Sequence, residues 1–260
     1  MISEKTPPNL SYQLYSSRNF GPLIYTIGML VELGYDEVEG YGGLFEDEVG
    51  INDLEAVLGR TGLEMTSAHF GLDQVEGDSA RMVGLAKRFG MRAVFVPYLD
   101  EADRPTDAAG WISLGKRLSE LSKPFQDAGI DFGWHNHDFE FTALGTGEMP
   151  IDLIFEGGPD LAFEFDIAWA FVAGQDPSAW IDKHAERLKA AHLKDRAPSG
   201  QKIDEDGWAD FGAGVMEWRT LTDKLLTLGV PTLVMEHDNP SDDRRFAEAS
   251  LDNFQSFLPA

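Results

Sequence analysis

The sequence predicts an α/β chain closed into a single (β/α)8 TIM barrel spanning residues 1–260. Three observations carry this. Short apolar or alternating runs take turns with longer stretches of helical period, as parallel βαβ units require. A helix–Gly–strand junction recurs at Leu33-Gly34, Thr61-Gly62, Phe89-Gly90, Ala128-Gly129 and Leu228-Gly229, the first two intervals being 28 residues each. Eight such units fill about 250 residues, the usual size of this barrel. An open doubly wound sheet is the alternative, but its Gly-rich first turn is missing, since that turn reads Ser16-Ser17-Arg18-Asn19-Phe20-Gly21.

In order, residues 10–15 alternate and read as a first strand, and Pro22 opens a helix with Leu23, Ile27, Leu30 and Val31 on one side. Residues 36–39 form a short second strand, followed by a loop at Gly40-Tyr41-Gly42-Gly43 and a helix bearing Leu54, Val57 and Leu58. Residues 64–69 are strand three, followed by a helix with Met82, Leu85, Ala86 and Phe89. Residues 93–96 are strand four, ended by Pro97; the next helix carries the stripe Trp111, Leu114, Leu118, Leu121 and Phe125. Strand five leads into Trp134-His135-Asn136-His137, where alternation puts both histidines on one face and Asn136 on the other. The second half continues with a short helix at 151–155 and strand six at 161–166. A helix within 177–188 starts on a proline, and strand seven follows at 189–194. A long loop spans 195–215, then come a helix at 217–228, strand eight at 232–236 and a closing helix at 242–257.

The net charge of −24, from 45 acidic and 21 basic residues, sets duplex nucleic acid and anionic membranes aside as partners, because phosphates are repelled. The absence of cysteine excludes thiol nucleophiles, thiolate metal sites and disulfides. Met1 to Asn9 lacks the order of a signal peptide, and no apolar run approaches the roughly 20 residues of a membrane span. A cytoplasmic location is the expectation.

In a barrel of this kind the C-terminal strand ends form the reactive face. Those ends read Glu39, His69, His135, His137, Asp166, His192, Lys194 and Glu236, and His237 follows another. Of the six histidines only His184 falls on a helix, where a solvated position is expected. Imidazole and carboxylate donors without sulfur suit Mn²⁺, Co²⁺, Zn²⁺ or Fe²⁺. His135, Asp166, His192 and Glu236, at equivalent positions on four strands, are the candidate ligands of one divalent metal.

The segments His135-Asn-His-Asp-Phe-Glu-Phe141, Glu164-Phe-Asp-Ile-Ala-Trp169, Ala191-His-Leu-Lys-Asp195, Gly212-Ala-Gly214 with Glu217-Trp218, and Met235-Glu-His237 resemble, in this order, the xylose-isomerase-like or sugar phosphate isomerase/epimerase superfamily. The Glu39 and His69 endings extend the likeness through nearly the whole chain. The resemblance implies that residues ending strands five to eight bind one divalent metal, Mn²⁺ first among the choices. Two positions depart from the pattern. The sugar epimerases usually carry Glu where this chain has His135, and often His where it has Trp169. Losing one carboxylate removes the symmetrical acid–base pair of epimerisation. The variant His-Asn-His-x-x-Glu-Phe is similar to a branch that includes lyases and hydratases acting on 3-keto-glycosides.

The expected chemistry is proton abstraction beside the carbonyl of a keto-sugar, followed by β-elimination or hydration, with isomerisation or epimerisation as the alternative. A metal stabilises the enolate, and an imidazole takes the proton near neutral pH. His137 and His69 are the candidate base and acid, with Glu236 and Lys194 as further catalytic groups. Glu39, Glu140, Trp134, Trp169 and Arg196 are the candidate substrate contacts, the two tryptophans as flat faces for a pyranose. Lys194, Arg196 and Lys202 sit in the strand-seven loop among five acidic residues, which favours an unphosphorylated sugar. A metal-dependent hydrolase would need a cationic groove that this chain lacks. A non-catalytic sugar-binding role, or work as a homo-oligomer or beside a second subunit, is the remaining class.

Overall fold

The computed structural model describes residues 10–258, so the expectation for Met1 to Asn9 lies outside the described residues. Eight parallel strands close into one barrel: β1 (Leu10–Gln13), β2 (Glu37–Tyr41), β3 (Glu64–His69), β4 (Ala93–Val96), β5 (Asp131–His135), β6 (Ala162–Asp166), β7 (Leu188–Leu193) and β8 (Thr232–Met235). Each pairs with its successor, and β1 closes the ring on β8 at Leu10↔Leu233 and on β2 at Ser11↔Glu37. The strands are almost entirely buried, as strands covered on both faces must be.

The outer layer comprises α1 (Leu23–Leu33), α2 (Glu48–Thr61), α3 (Leu72–Gly77), α4 (Ser79–Phe89), α5 (Ala108–Asp127), α6 (Pro150–Gly157), α7 (Ile167–Val172), α8 (Pro177–His184), α9 (Trp218–Leu228) and α10 (Asp243–Phe257). Part of the chain's acidity serves these helices. Asp47, Asp78, Asp107, Asp166, Asp176 and Asp242 each accept an N–H of the first turn, satisfying donors the helix leaves open. The predicted glycine stops are real: Gly34, Gly62, Gly90 and Gly229 end their helices in the left-handed region, which costs a residue without Cβ little. No described helix is long and apolar enough to cross a membrane.

Several boundaries differ from the sequence reading. β1 ends at Gln13, whose side chain accepts the Tyr15 N–H at 3.1 Å and turns the chain into a 3-10 helix over Leu14–Ser17. β2 runs on through Tyr41, within the segment expected as loop. α3 and α7, six residues each, are too short to show a helical period. The expected loop after β7 contains a small antiparallel ribbon, Asp195–Arg196 with Trp208–Ala209. His184 is not solvated: it is buried, with its ring stacked on Trp180 at 5.5 Å.

Inside the barrel, Ala93, Phe95, Ala162 and Ala190 form a small apolar plug. Polar groups lie toward both ends of it. Near the N-terminal end Glu37 is clamped by Arg92 Nη2 at 2.8 Å to each oxygen and by Thr66 Oγ1 at 2.6 Å. A side chain at Gly133 would place Cβ 1.9 Å from the Ala162 carbonyl oxygen. Only glycine allows this approach of β5 to β6, which sets His135 opposite Glu164. The register slips between Val38 and Glu39 on β2, and between Phe163 and Glu164 on β6.

Candidate active site at the barrel mouth

The C-terminal strand ends open into a cavity of about 420 Å³. His69, His135, His137, His192, Lys194 and Glu236 all line it, together with Asp238 and the rim aromatics Tyr15, Tyr41 and Tyr98. Thus β3, β5, β7 and β8 deliver to one place side chains that are up to 167 residues apart in sequence, from His69 to Glu236.

Two sets of possible cation donors share His192. Ligand atoms of Asp166, His192 and Glu236 lie within 4.8 Å of one another, as do those of His69, His135, Glu164 and His192. Three of the four sequence-predicted ligands therefore meet in the first set. His135 stands in the second, its Nδ1 2.9 Å from Glu164 Oε2. Asn136, on the opposite face as expected, clips β5 to β6 by accepting the Asp166 N–H at 2.9 Å and donating to the Asp166 carbonyl at 3.0 Å.

Asp166 Oδ2, His192 Nδ1 and Glu236 Oε2 are buried and make no directed hydrogen bond. Lys194 Nζ nevertheless lies 3.1 Å from Asp166 Oδ2, 2.8 Å from Glu236 Oε2 and 2.7 Å from Asp238 Oδ2. One ammonium thus faces two buried carboxylates and a third that is partly exposed. Burial opposes its charge, but Asp166, Asp238 and Glu236 outweigh burial and hold Lys194 above its ordinary range. Two carboxylate oxygens that share one ammonium, and an imidazole nitrogen without a hydrogen-bond partner, converge and fit a divalent cation, whose charge the surplus carboxylates would balance.

Deeper in, His192 Nε2 is 2.8 Å from Glu39 Oε1, and His69 Nε2 is 2.5 Å from Glu164 Oε2 and 3.3 Å from Glu39 Oε1. Burial works against charge on His192, yet Glu164 and Glu39 more than offset it and hold that imidazole well above its ordinary range. His69 is raised in the same way by Glu39 and Glu164. His135 is driven well below by burial and then by charge on His192. Burial, then Lys194, lowers His137 to about 3, so its imidazole is neutral. Burial, then Asp238, pushes Glu236 up to about 7.

The structure takes several predicted substrate contacts out of the mouth. Trp134 is fully buried and donates Nε1–H to Glu140 Oε1 at 2.8 Å, while the His137 N–H occupies Glu140 Oε2 at 2.9 Å. Both side chains are spent on holding the β5 turn. Trp169 stands behind His137, ring centroids 5.3 Å apart, and packs edge-on against Trp208. Arg196 lies on the ribbon, over Trp208 and bonded to the Asp206 carbonyl, outside the cavity. Glu39 is wholly buried, bonded to Gln13, Ser67 and His192, and sits behind the mouth. Two groups escaped the sequence reading. Glu164 lies two residues before Asp166 and Asp238 two beyond Glu236, so carrying the period-two rule one step either way would have found both.

A family description, xylose isomerase-like TIM barrel, matches residues 27–257. An inosose dehydratase of Clostridium beijerinckii is 30% identical over 113 residues, a stretch covering 41% of this chain and 36% of that protein. The match therefore spans about a third of the relative's length. A solved sugar phosphate isomerase/epimerase from Parabacteroides distasonis superposes with a TM-score of 0.77 at 19% identity, covering 100% of both chains. The IolI protein, solved with a bound zinc atom, gives 0.72 at 14% identity, covering 96% of each chain. At these identities the two structural likenesses speak for the fold. With the matched region running from α1 through α10 and the strands closed in family order, this chain belongs to the xylose isomerase-like TIM barrel family.

Proposed function

We propose that this barrel is a divalent-cation-dependent enzyme that removes a proton beside the carbonyl of a keto-sugar and completes a β-elimination or hydration of a 3-keto-glycoside. The observation that carries the reading is the convergence of Asp166, His192 and Glu236 ligand atoms within 4.8 Å of one another, with one ammonium facing both carboxylates. A cation held by Asp166, His192 and Glu236 would supply Lewis-acid stabilisation of charge developing on a carbonyl oxygen. Mn²⁺ suits the oxygen-rich set, and Zn²⁺, Co²⁺ or Fe²⁺ are compatible with the imidazole.

The chain's own residues supply the proton traffic. His137 lines the cavity with a neutral imidazole, and it is the candidate to accept the proton from C2 of a 3-keto sugar. The bond from C1 to the leaving group then breaks. His69 and Lys194, cationic groups on the same cavity wall, stand where a proton can be returned to the departing oxygen. The likeness to a dehydratase supports elimination over isomerisation. An unphosphorylated substrate fits the surplus of carboxylates in the mouth.

The test incubates the metal-loaded protein with a 3-keto-glucoside and follows aglycone release. Release with a C1–C2 unsaturated or hydrated 3-keto sugar as co-product is the expected result. Interconversion of free ketoses and aldoses with no release would replace this reading by the isomerase one, and the absence of any bound or recruitable cation would remove both.

A further inference from the structure

Resting on the reading that the mouth binds a divalent cation, we infer that Glu39 and Glu164 are positioning residues. Each holds one imidazole by its far nitrogen, so that the near nitrogen turns a lone pair to the cation. His69 ties the two carboxylates into one unit.

A carboxylate only accepts hydrogen bonds, so the nitrogen facing it must carry the hydrogen. Glu164 Oε2 is 2.9 Å from His135 Nδ1, and Glu39 Oε1 is 2.8 Å from His192 Nε2. With a cation bound, the lone pairs would thereby fall on His135 Nε2 and His192 Nδ1. His192 Nδ1 is buried without a hydrogen-bond partner, 3.9 Å from Asp166 Oδ2, on the side where the carboxylate oxygens facing Lys194 gather. His69 Nε2 spans Glu164 and Glu39 at 2.5 and 3.3 Å.

Two independent observations point the same way. At both register shifts the extra residue lies on the neighbouring strand: Thr66 of β3 is passed over between Val38↔Met65 and Glu39↔Ser67, and Lys189 of β7 between Phe163↔Leu188 and Glu164↔Ala190. Each shift thus sets the strand that carries an imidazole, His69 or His192, one residue along against the strand of its glutamate, and bulges gather beside active sites. Second, among the described residues every ion pair of Glu39 and Glu164 is to an imidazole. Glu37, two residues earlier on the same strand, is instead answered by an arginine. A carboxylate buried solely for stability is served better by Arg92's permanent charge than by three titratable rings.

The experiment measures Mn²⁺ and Co²⁺ binding to the chelator-stripped full chain by calorimetry, with the visible Co²⁺ spectrum as a second readout. Wild type should bind one cation per chain. Glu164→Ala and Glu39→Ala should each weaken it about 10–100-fold, the usual cost of losing an outer partner of a ligating histidine, and shift the Co²⁺ bands. Glu164→Gln should recover most of the loss, because both imidazoles use Oε2 while Oε1 has no partner and can become the amide nitrogen. This variant keeps the test alive if the alanine form fails to fold. Glu37→Gln, equally buried but away from the imidazoles, should leave affinity and spectrum unchanged. Wild-type affinity and an unshifted spectrum in Glu164→Ala and Glu39→Ala would overturn the inference while leaving the cation reading intact. So would two cations per chain, one lost with Glu164, since that residue would then be a ligand itself. A wild type that binds no cation rejects the underlying reading and this inference together.

Discussion

Glu37 and Glu39 stand two residues apart on β2, both wholly buried, and the barrel treats them in opposite ways. At the closed end both Glu37 oxygens accept from Arg92 Nη2 and one of them also from a hydroxyl, so its charge is answered within the fold. Toward the mouth Glu39 shares its charge with His69 and His192, and just above it Asp166, Glu236 and Asp238 crowd around one ammonium. The floor is built for stability. The mouth keeps carboxylates that the fold alone does not neutralise, and burying charge without full compensation is costly. Such a cost is expected where a ligand completes the site.

Three substitutions break or sharpen this contrast. The largest effect belongs to Asp166→Asn, which keeps the oxygen that caps α7 but removes the charge. Cation affinity should fall by more than the roughly 100-fold that an outer partner costs, while the metal-free protein unfolds at no lower denaturant concentration. Loss of stability with affinity preserved would place Asp166 with Glu37, as part of the scaffold. Next comes Glu37→Ala, which strands Arg92 and Thr66. Because Arg92 is half exposed, the loss of stability should be about 1–3 kcal/mol, below that of a fully buried pair, with cation affinity unchanged. Equal damage to cation binding would show that floor and mouth are not separable.

The smallest effect is a slope. Burial lifts the Glu140 carboxyl from about 4.5 to about 8 in the folded chain, against the Trp134 and His137 N–H donors. Between those values the folded chain keeps a proton that the unfolded chain has released. Stability from this group therefore falls as pH rises from about 4.5 to 8 and levels off above. Glu140→Gln, neutral throughout, should flatten that part of the stability–pH curve in denaturant titrations. An unchanged slope would mean that the two N–H donors, not burial, set this carboxyl.

Much of this molecule was legible in the chain. Alternation of period two with helical period, and the recurring helix–Gly–strand junction, specify eight parallel units because both signals are local. The same parity rule sent His135 and His137 inward and Asn136 outward, and it gathered His69, His192, Lys194 and Glu236 at one rim. Parity sends Trp134 outward with Asn136, so the expected substrate contact there runs against that rule; Glu140 lies past the end of β5, where a side chain turns with the loop. The reading of strand ends also missed Glu164, which sits one step deeper than the strand end.

The sequence by itself determined the closed barrel, its polar C-terminal rim and a donor set without sulfur. Only the tertiary structure decided which inward groups touch. Radial neighbours depend on strand register, and the extra residues Thr66 of β3 and Lys189 of β7 shift that register opposite Glu39 and Glu164, where the carboxylates meet the imidazoles. Spacing along one strand says which way a side chain faces; what it meets there is set by seven other strands.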